Sequence, residues 1–276
     1  MIHIFTALYP EANPLIQALS LKKRAAQTHY QQVLSEEGDL SLTITGVGPL
    51  QAAAVTASVF TDFDAGAQDQ LLSLGTAAAL TACPAHMYHV NKITEAATMR
   101  DFYPDMLLNT GIPEASLITG AKLYTKQESG YEADLYDMEA AAIYQAASMF
   151  LGPHQMNFLR IVTDHGLSEA EVDDPRSLAA HVAACVEQQV DTLVAVVDKL
   201  RALTAVDVAG HHVLTENERQ LVDKLIVDAH FSKVMADECV QLIRYAALSQ
   251  LDWQQPIAAL YAEGLVPTRD KRAGKI

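Results

Sequence analysis

Three carboxylates stand where the sequence predicts the end of a strand or the start of a helix. Glu11 follows a first apolar run, Glu139 precedes three alanines, and Asp164 follows the stretch NFLRIVT. Ligand sites in α/β proteins collect at such ends, and a carboxyl group can act there as a general acid or base. Each residue also has a simpler explanation: a solvated turn for Glu11, the helix dipole for Glu139 and a polar turn for Asp164.

The stretch LYDMEAAAIYQAA predicts a helix whose first turn contains Glu139. Asp137 can cap this helix, because a short carboxylate accepts hydrogen bonds from the first unpaired N–H groups. A capping box would need Glu or Gln at position 140, which is Ala. Glu139 is therefore free for another task. The small residues behind it allow the helix start to approach a ligand, or equally to pack tightly on a sheet.

Asp164 shares one strand face with Arg160, since side chains alternate along a strand. The two charged residues lie roughly 13 Å apart along the strand, at ~3.3 Å per residue. That distance is too long for a direct ion pair, so each needs its own partner. A carboxyl group at the end of a buried strand can have a raised pKa, which suits a general acid.

Strand and helix signals alternate along the first two thirds of the chain. The predicted strands are Met1 to Leu8, Leu40 to Thr45, a run ending at Gly75, His86 to Thr94, Ser116 to Thr125, and Asn157 to Thr163. Asn13-Pro14 predicts that the first helix begins there, which leaves Glu11 in the preceding turn. Residues 95–105 are predicted to form a loop. The alternation predicts an α/β fold with a mixed central sheet flanked by helices.

Turn glycines follow two of these strands. Gly46 and Gly48 precede a predicted helix from Pro49 to about Phe60, and Gly75 precedes Thr76. Such glycines can expose backbone N–H groups to a ligand.

The chain is predicted to divide into a domain at residues 1–205 and a small helical appendage at 206–276. A long helix capped by Asp174 is expected from Pro175 to about Leu203 and closes the first domain. Thr215 and Glu218 then form a capping box that starts the appendage. The last residues, TRDKRAGKI, form a basic tail.

Composition narrows the classes of partner. The net charge of −15 repels polyphosphate, so DNA and RNA are not expected as partners. Three widely spaced cysteines (Cys83, Cys185 and Cys239) favour neither a disulfide framework nor a zinc site, and indicate a reducing, cytoplasmic location. The sequence shows no signal peptide and no apolar stretch near the ~20 residues of a membrane span.

The order of the motifs resembles the nucleoside phosphorylase and nucleosidase superfamily, and most of all the 5′-methylthioadenosine/S-adenosylhomocysteine nucleosidases. The matching stretches are TALYPEANPLI, ITGVGPLQAAAV, LGTAAAL, YDMEAAAIYQAA and LRIVTDHG. They cover residues 1 to about 203. DMEAAAI and RIVTD, at their separation, are the specific part of the resemblance.

The resemblance implies roles for the three carboxylates. Glu139 would bind the ribose hydroxyls, Asp164 would protonate N7 of a departing purine, and Glu11 would activate water. Around them, the resemblance implies that Met138 packs on the sugar face and that Thr76 stands where the family has Ser. It also implies that Leu123 and Tyr124 sandwich the base. Thr163 and Arg160 would be neighbours of Asp164.

These roles suit cleavage of an N-glycosidic bond, which passes through a cationic sugar and needs an acid for the leaving base. The expected partner is a small-molecule nucleoside, and no metal or organic cofactor is required. Two departures from the family are Ala78 and Ala79 in place of glycines. The substrate is therefore open.

Two other functions remain open at this stage. A nucleoside phosphorylase would use phosphate as the nucleophile. Against this, Ser73 occupies the place where such enzymes can carry Arg, and Glu11 would repel the anion. Arg100 is the candidate phosphate ligand that keeps this function open. A non-catalytic nucleoside sensor would use the appendage to contact a partner. By the resemblance we also expect a homodimer, with the DFYPD loop (residues 101–105) contributing to a shared site.

Overall fold

The computed structural model describes residues 1–24, 29–66, 68–81, 86–125, 130–167, 174–209, 215–232, 235–236, 239–240, 242–243 and 252–264. Contacts within the chain group it into two compact units, Met1–Thr204 and Ala205–Ile276. The first unit contains the sheet and the three carboxylates. The basic tail and Cys83 lie outside the described residues, whereas Cys185 and Cys239 are free thiols.

The first unit is built on one mixed sheet. Its ten described strands are β1 (Ile2–Thr6), β2 (Lys22–Lys23), β3 (Gln31–Leu34), β4 (Leu40–Ile44), β5 (Gln70–Ala79), β6 (Met87–Glu95), β7 (Arg100–Phe102), β8 (Glu114–Thr119), β9 (Leu135–Asp137) and β10 (Met156–Asp164). The strand order is β10-β6-β8-β9-β5-β1-β4-β3-β2, with β7 beside β6. Since β10 also pairs with β5, five strands close into a circuit, and the others extend from it.

Helices of the first unit cover both faces of this sheet, and two further described helices belong to the second unit. The described helices are α1 (Tyr9–Ala18), α2 (Pro49–Asp62), α3 (Ala140–Ala147), α4 (Pro175–Glu187), α5 (Val190–Ala209), α6 (Glu216–Asp228) and α7 (Gln254–Ala262). One core lies between the sheet and helices α2 and α3, where Phe5 meets Phe60. The other core joins α1, α4 and α5 to residues such as Ile4. Because β1 is buried on both faces, its sequence IHIFT is almost continuously apolar. The predicted α/β fold with a mixed sheet is confirmed.

The second unit has its own small core. Val222 and Leu225 of α6 pack with Ile243, Trp253 and Ile257. The predicted capping box starts α6: Thr215 Oγ1 accepts from the N–H of Glu218, whose carboxylate accepts from the N–H of Thr215 at 2.8 Å.

Two helix predictions were wrong in their limits. The helix expected from Pro175 to Leu203 is two helices, α4 and α5, separated at Gln188 and Gln189. Both helices face the same core, so the apolar period continues through a break that no proline or glycine marks. The predicted cap is confirmed, since Asp174 accepts from the N–H of Ser177 at 3.2 Å.

The first helix begins at Tyr9 rather than at Pro14. Pro10 is tolerated because the N–H groups of the first turn have no partner within the helix. Glu11 therefore lies in the first turn of α1 and not in a loop before it. Pro14 lies inside α1 and costs the helix one backbone hydrogen bond.

Some strand predictions also need correction. The strand expected to end at Gly75 continues through Ala79, because Ala78 and Ala79 pair with β9. The loop expected at residues 95–105 contains β7, which forms an antiparallel pair with β6.

Candidate active site

The carboxyl ends of four strands bring the predicted site residues to one edge of the sheet. Strands β1, β4, β5 and β10 run parallel, so their ends face the same way. Glu11 follows β1, the glycine turn Gly46–Gly48 follows β4, and Asp164 ends β10. Strand β9 runs antiparallel to the end of β5 and leads into Glu139 from the opposite direction. This edge is the candidate active site.

Glu11 is buried, with 2% of its surface exposed, and four donors fix its carboxylate. Oε2 accepts from the backbone N–H groups of Ala7 at 2.9 Å and Leu8 at 3.0 Å. Oε1 accepts from the backbone N–H of Thr76 at 2.9 Å and from its hydroxyl at 2.8 Å. The side chain therefore caps its own helix and also ties α1 to the middle of β5.

Glu139 occupies the N-cap position of α3, but other groups satisfy the first turn of the helix. Asp137 Oδ2 accepts from the N–H of Ala140 at 2.9 Å, and Thr119 Oγ1 accepts from that of Ala141 at 3.1 Å. Asp137 itself is the last residue of β9, so the prediction that it occupies the N-cap position was wrong by two residues, although its carboxylate does cap the helix. The Glu139 side chain is therefore not needed to cap the helix.

The Glu139 carboxyl group accepts a 2.7 Å hydrogen bond at Oε1 from the backbone N–H of Gly48. Gly48 has φ of +96°, a conformation that glycine adopts without strain. Burial raises the pKa of Glu139 to about 8, and the negative charges of Asp137 and Glu11 act in the same direction. Because Glu11 contributes to this pKa, the two glutamates are close enough to interact electrostatically.

Arg160 and Asp137 form a buried ion pair beneath these residues. Arg160 is 2% exposed, and its Nε and Nη2 atoms donate to Asp137 Oδ2 at 3.0 and 2.8 Å. Its other donors reach the Ser73 carbonyl and hydroxyl at 3.0 and 3.2 Å and the Leu159 carbonyl at 2.8 Å. A guanidinium group has five N–H donors, so all five are used. The predicted separate partner of Arg160 is therefore Asp137.

Asp164 lies at the end of β10, partly exposed. Its carboxylate accepts from the Thr163 hydroxyl at 2.9 Å and from the N–H of Gly166 at 2.8 Å. It pairs with Ala78 on β5, two residues beyond Thr76. Thr76 and Ala78 point to the same side of β5 and are separated by roughly 6.6 Å. Asp164 therefore lies near Thr76 and its hydrogen-bond partner Glu11.

The remaining predicted site residues lie around this edge. Met138 packs against the cluster that contains Ala78 and Tyr136. Tyr124 contacts Tyr131 and Tyr136, with ring centroids 6.4 and 5.2 Å apart, whereas Leu123 is 44% exposed. The Tyr124 carbonyl accepts from the N–H of Leu167, three residues after Asp164. Their roles toward a base and a sugar stay predictions.

Three contacts were not foreseen from the sequence: the Arg160–Asp137 pair, the Thr119 contact with α3, and a contact of His181 with the carbonyl of Thr163 at 2.9 Å. A histidine within a helix carries no motif that would have singled it out. In the described part of the chain, no three side chains of His, Cys, Asp or Glu are grouped to bind a metal ion, and no helix is long and apolar enough to cross a membrane.

The fold defined by this sheet is that of the α/β nucleosidases. Among solved structures, the chain is similar to futalosine hydrolase of Helicobacter pylori, with a TM-score of 0.59, 14% identity, and coverage of 72% of this chain and 98% of that chain. It is equally similar to 5′-methylthioadenosine/S-adenosylhomocysteine nucleosidase of H. pylori, with a TM-score of 0.59, 14% identity, and coverage of 72% and 97%.

The corresponding nucleosidase of Campylobacter jejuni gives a TM-score of 0.57 at 16% identity, with coverage of 72% of this chain and 98% of that chain. No protein-family model matches the sequence, and no curated protein matches it. The resemblance predicted from the motifs is confirmed in the fold.

Proposed function

We propose that this protein hydrolyses the N-glycosidic bond of a purine-type nucleoside and releases the base and the sugar. The observation that carries this proposal is the convergence of Glu11, Glu139 and Asp164, from three separate segments, on one sheet edge. Glycoside cleavage needs an acid for the leaving group, a polar anchor for the sugar, and an activated nucleophile. The three carboxylates supply one group for each task.

Asp164 is the proposed general acid. Its position at the end of β10 leaves the carboxyl group partly exposed, so that a base can reach it. The hydrogen bonds from Thr163 and Gly166 orient the group. Protonation at N7 neutralises the charge that develops on the purine as the bond to the sugar breaks.

Glu139 is the proposed ligand of the ribose hydroxyls. One oxygen is bound to Gly48, which leaves the other available to the sugar. Below a pH of about 8 this carboxyl group keeps its proton, so it can donate through its O–H to a sugar oxygen as well as accept. A neutral hydrogen bond contributes about 0.5–1.5 kcal/mol. Met138, the neighbouring residue, is proposed to pack on the sugar face, and Tyr124 and Leu123 beside the base.

Glu11 and Thr76 are the proposed water-activating pair. The Thr76 hydroxyl donates a hydrogen bond to Glu11, so its oxygen lone pairs can accept a hydrogen bond from water. A proton leaving that water can then pass through the hydroxyl to Glu11. The buried, fixed carboxylate thus acts as the base without moving.

The contacts of Arg160 favour water over phosphate as the nucleophile. All five of its N–H donors are bound within the protein, so this cation has none left for an anion. Ser73, the position at which phosphorylases can carry Arg, is 1% exposed and accepts from Arg160. Arg100 lies on β7, and its guanidinium group stacks over Phe102 at 5.3 Å from the ring centroid.

The test is incubation of the purified protein with a nucleoside panel, with and without phosphate, followed by identification of the products. The panel includes adenosine, inosine, 5′-methylthioadenosine, S-adenosylhomocysteine and futalosine, the last three chosen from the names of the similar structures. Free sugar formed independently of phosphate supports the proposal. Sugar 1-phosphate would establish the phosphorylase instead, and binding without turnover would establish the sensor.

We also propose that the protein forms a homodimer through the side of the sheet that carries residues 101–105. Several large apolar side chains near this segment are exposed, among them Met99 at 67% and Tyr103 at 56%. Light scattering coupled to size exclusion would give twice the 30.0 kDa chain mass if this is correct. A monomeric mass at micromolar concentration would contradict it.

A further inference from the structure

His181 contacts the strand end that carries Asp164. It lies on α4, and its Nε2 atom is 2.9 Å from the backbone carbonyl oxygen of Thr163. A carbonyl oxygen only accepts hydrogen bonds, so Nε2 must carry a proton and donate it. The residue that His181 binds is the one directly before Asp164.

The turn after β10 is fixed from several sides. Within the turn, the Thr163 hydroxyl and the Gly166 N–H both donate to Asp164. Beyond it, the Leu167 N–H donates to the Tyr124 carbonyl at 3.1 Å. The bond from His181 attaches the start of the same turn to a helix, so Asp164 lies between two anchored backbone points.

Helix α4 presents this donor from a rigid support. It packs against α1, which carries Glu11, and against β10, which carries Asp164. Val182, the residue after His181, is 4% exposed, and Val186 is fully buried in the core. The imidazole ring itself is exposed, so it can be replaced without opening a cavity.

We propose that His181 is a positioning residue for Asp164: by donating to the Thr163 carbonyl from α4, it sets the direction in which the Asp164 carboxyl group meets the leaving base. This inference rests on the proposed nucleosidase function and adds a residue to it. His181 does not touch the substrate. Its contribution is confined to steps in which Asp164 transfers a proton.

The first test compares His181→Leu with His181→Gln. Leucine removes the donor, whereas the Gln side-chain amide places an N–H close to the Nε2 position. A neutral hydrogen bond contributes about 0.5–1.5 kcal/mol, so we expect His181→Leu to lower kcat on a purine nucleoside by roughly 2- to 10-fold with KM unchanged. His181→Gln should recover most of that loss. Glu187→Gln, an exposed change on the same helix, is the matched control and should have wild-type kcat.

The second test changes the leaving group. p-Nitrophenyl riboside releases a stable anion that needs no protonation, so His181→Leu should leave its hydrolysis unchanged. Equal losses on the two substrates, a loss that appears in KM alone, or no loss at all would overturn the positioning role. If the wild-type protein cleaves no nucleoside, the proposed function itself fails, and that outcome is visible before any variant is compared.

Discussion

Replacing Glu139 with Gln should change how the stability of the protein depends on pH. The pKa of Glu139 is raised from its ordinary 4.5 to about 8 in the folded protein, chiefly by burial. Between these values the folded chain keeps a proton that the unfolded chain loses. The free energy of unfolding therefore falls as pH rises, by about 1.4 kcal/mol per pH unit for this group. The stabilisation is complete below pH 4.5 and lost above about pH 8.

The Gln variant cannot ionise, and its side-chain oxygen can still accept from the N–H of Gly48. Between pH 5.5 and 7.5 we expect wild type to lose roughly 2.7 kcal/mol relative to Glu139→Gln. Subtracting the two curves cancels the groups that titrate equally in both proteins, so the difference reports on position 139.

Urea unfolding at pH 5.5, 6.5 and 7.5 measures this difference. The signal should be tyrosine circular dichroism, because the single tryptophan, Trp253, belongs to the second compact unit. Glu132→Gln, a change at an exposed glutamate, is the control and should give a curve parallel to wild type. Parallel curves for wild type and Glu139→Gln would refute the argument that burial and Asp137 keep this carboxyl group protonated.

The other predictions concern activity and the buried ion pair. Asp164→Asn should lower turnover of purine nucleosides by roughly 100-fold or more while keeping the melting temperature, because it removes a proton donor but little volume; wild-type kcat would exclude Asp164 as the acid. Glu139→Gln should raise the KM of ribosides more than that of 2′-deoxyribosides. Equal increases in KM for both would argue against contact with the sugar hydroxyls. Arg160→Met should lower the free energy of unfolding by about 3–5 kcal/mol, since Asp137 stays buried without its cation. The matched change Arg201→Met removes a pair that is one-third exposed and should cost less than about 1 kcal/mol in the same urea titration.

The sequence identified strand ends and the carboxylates beside them, because these depend on local patterns. The run before Asp164 is buried over most of a strand, and the glycine turn after β4 stands in its expected place. The prediction that Asp164 shares a strand face with Arg160 was wrong, because the register of β10 shifts between Val162 and Asp164. Strand β9 was missed because Leu135–Asp137 is too short to show a period. Without β9 beside β5, the prolongation of β5 into Ala79 could not be recognised, and Gly75 was interpreted as the end of the strand.

The site contacts that were missed all join distant segments. Arg160 and Asp137 are 23 residues apart, and they meet only because β9 and β10 both flank β5. His181 reaches Thr163 from a helix 18 positions further along the chain. Neither residue type nor spacing encodes such a meeting, since it depends on how the sheet closes.

The closure of the sheet also distinguishes strand residues, whose positions are fixed by pairing, from the segments that connect the strands, whose sequence can change. Strand β5 is hydrogen-bonded to β1, β9 and β10, and Thr76 lies opposite Ile161 of β10, between the part of β5 that pairs with β1 and the part that pairs with β9. The segments at residues 103–113 and 120–134 are connections between strands, and connections of this kind accept insertions and substitutions readily. For the proposed nucleosidase, changes in those connections alone would alter which base or 5′ group is accepted, while the three carboxylates stay in place.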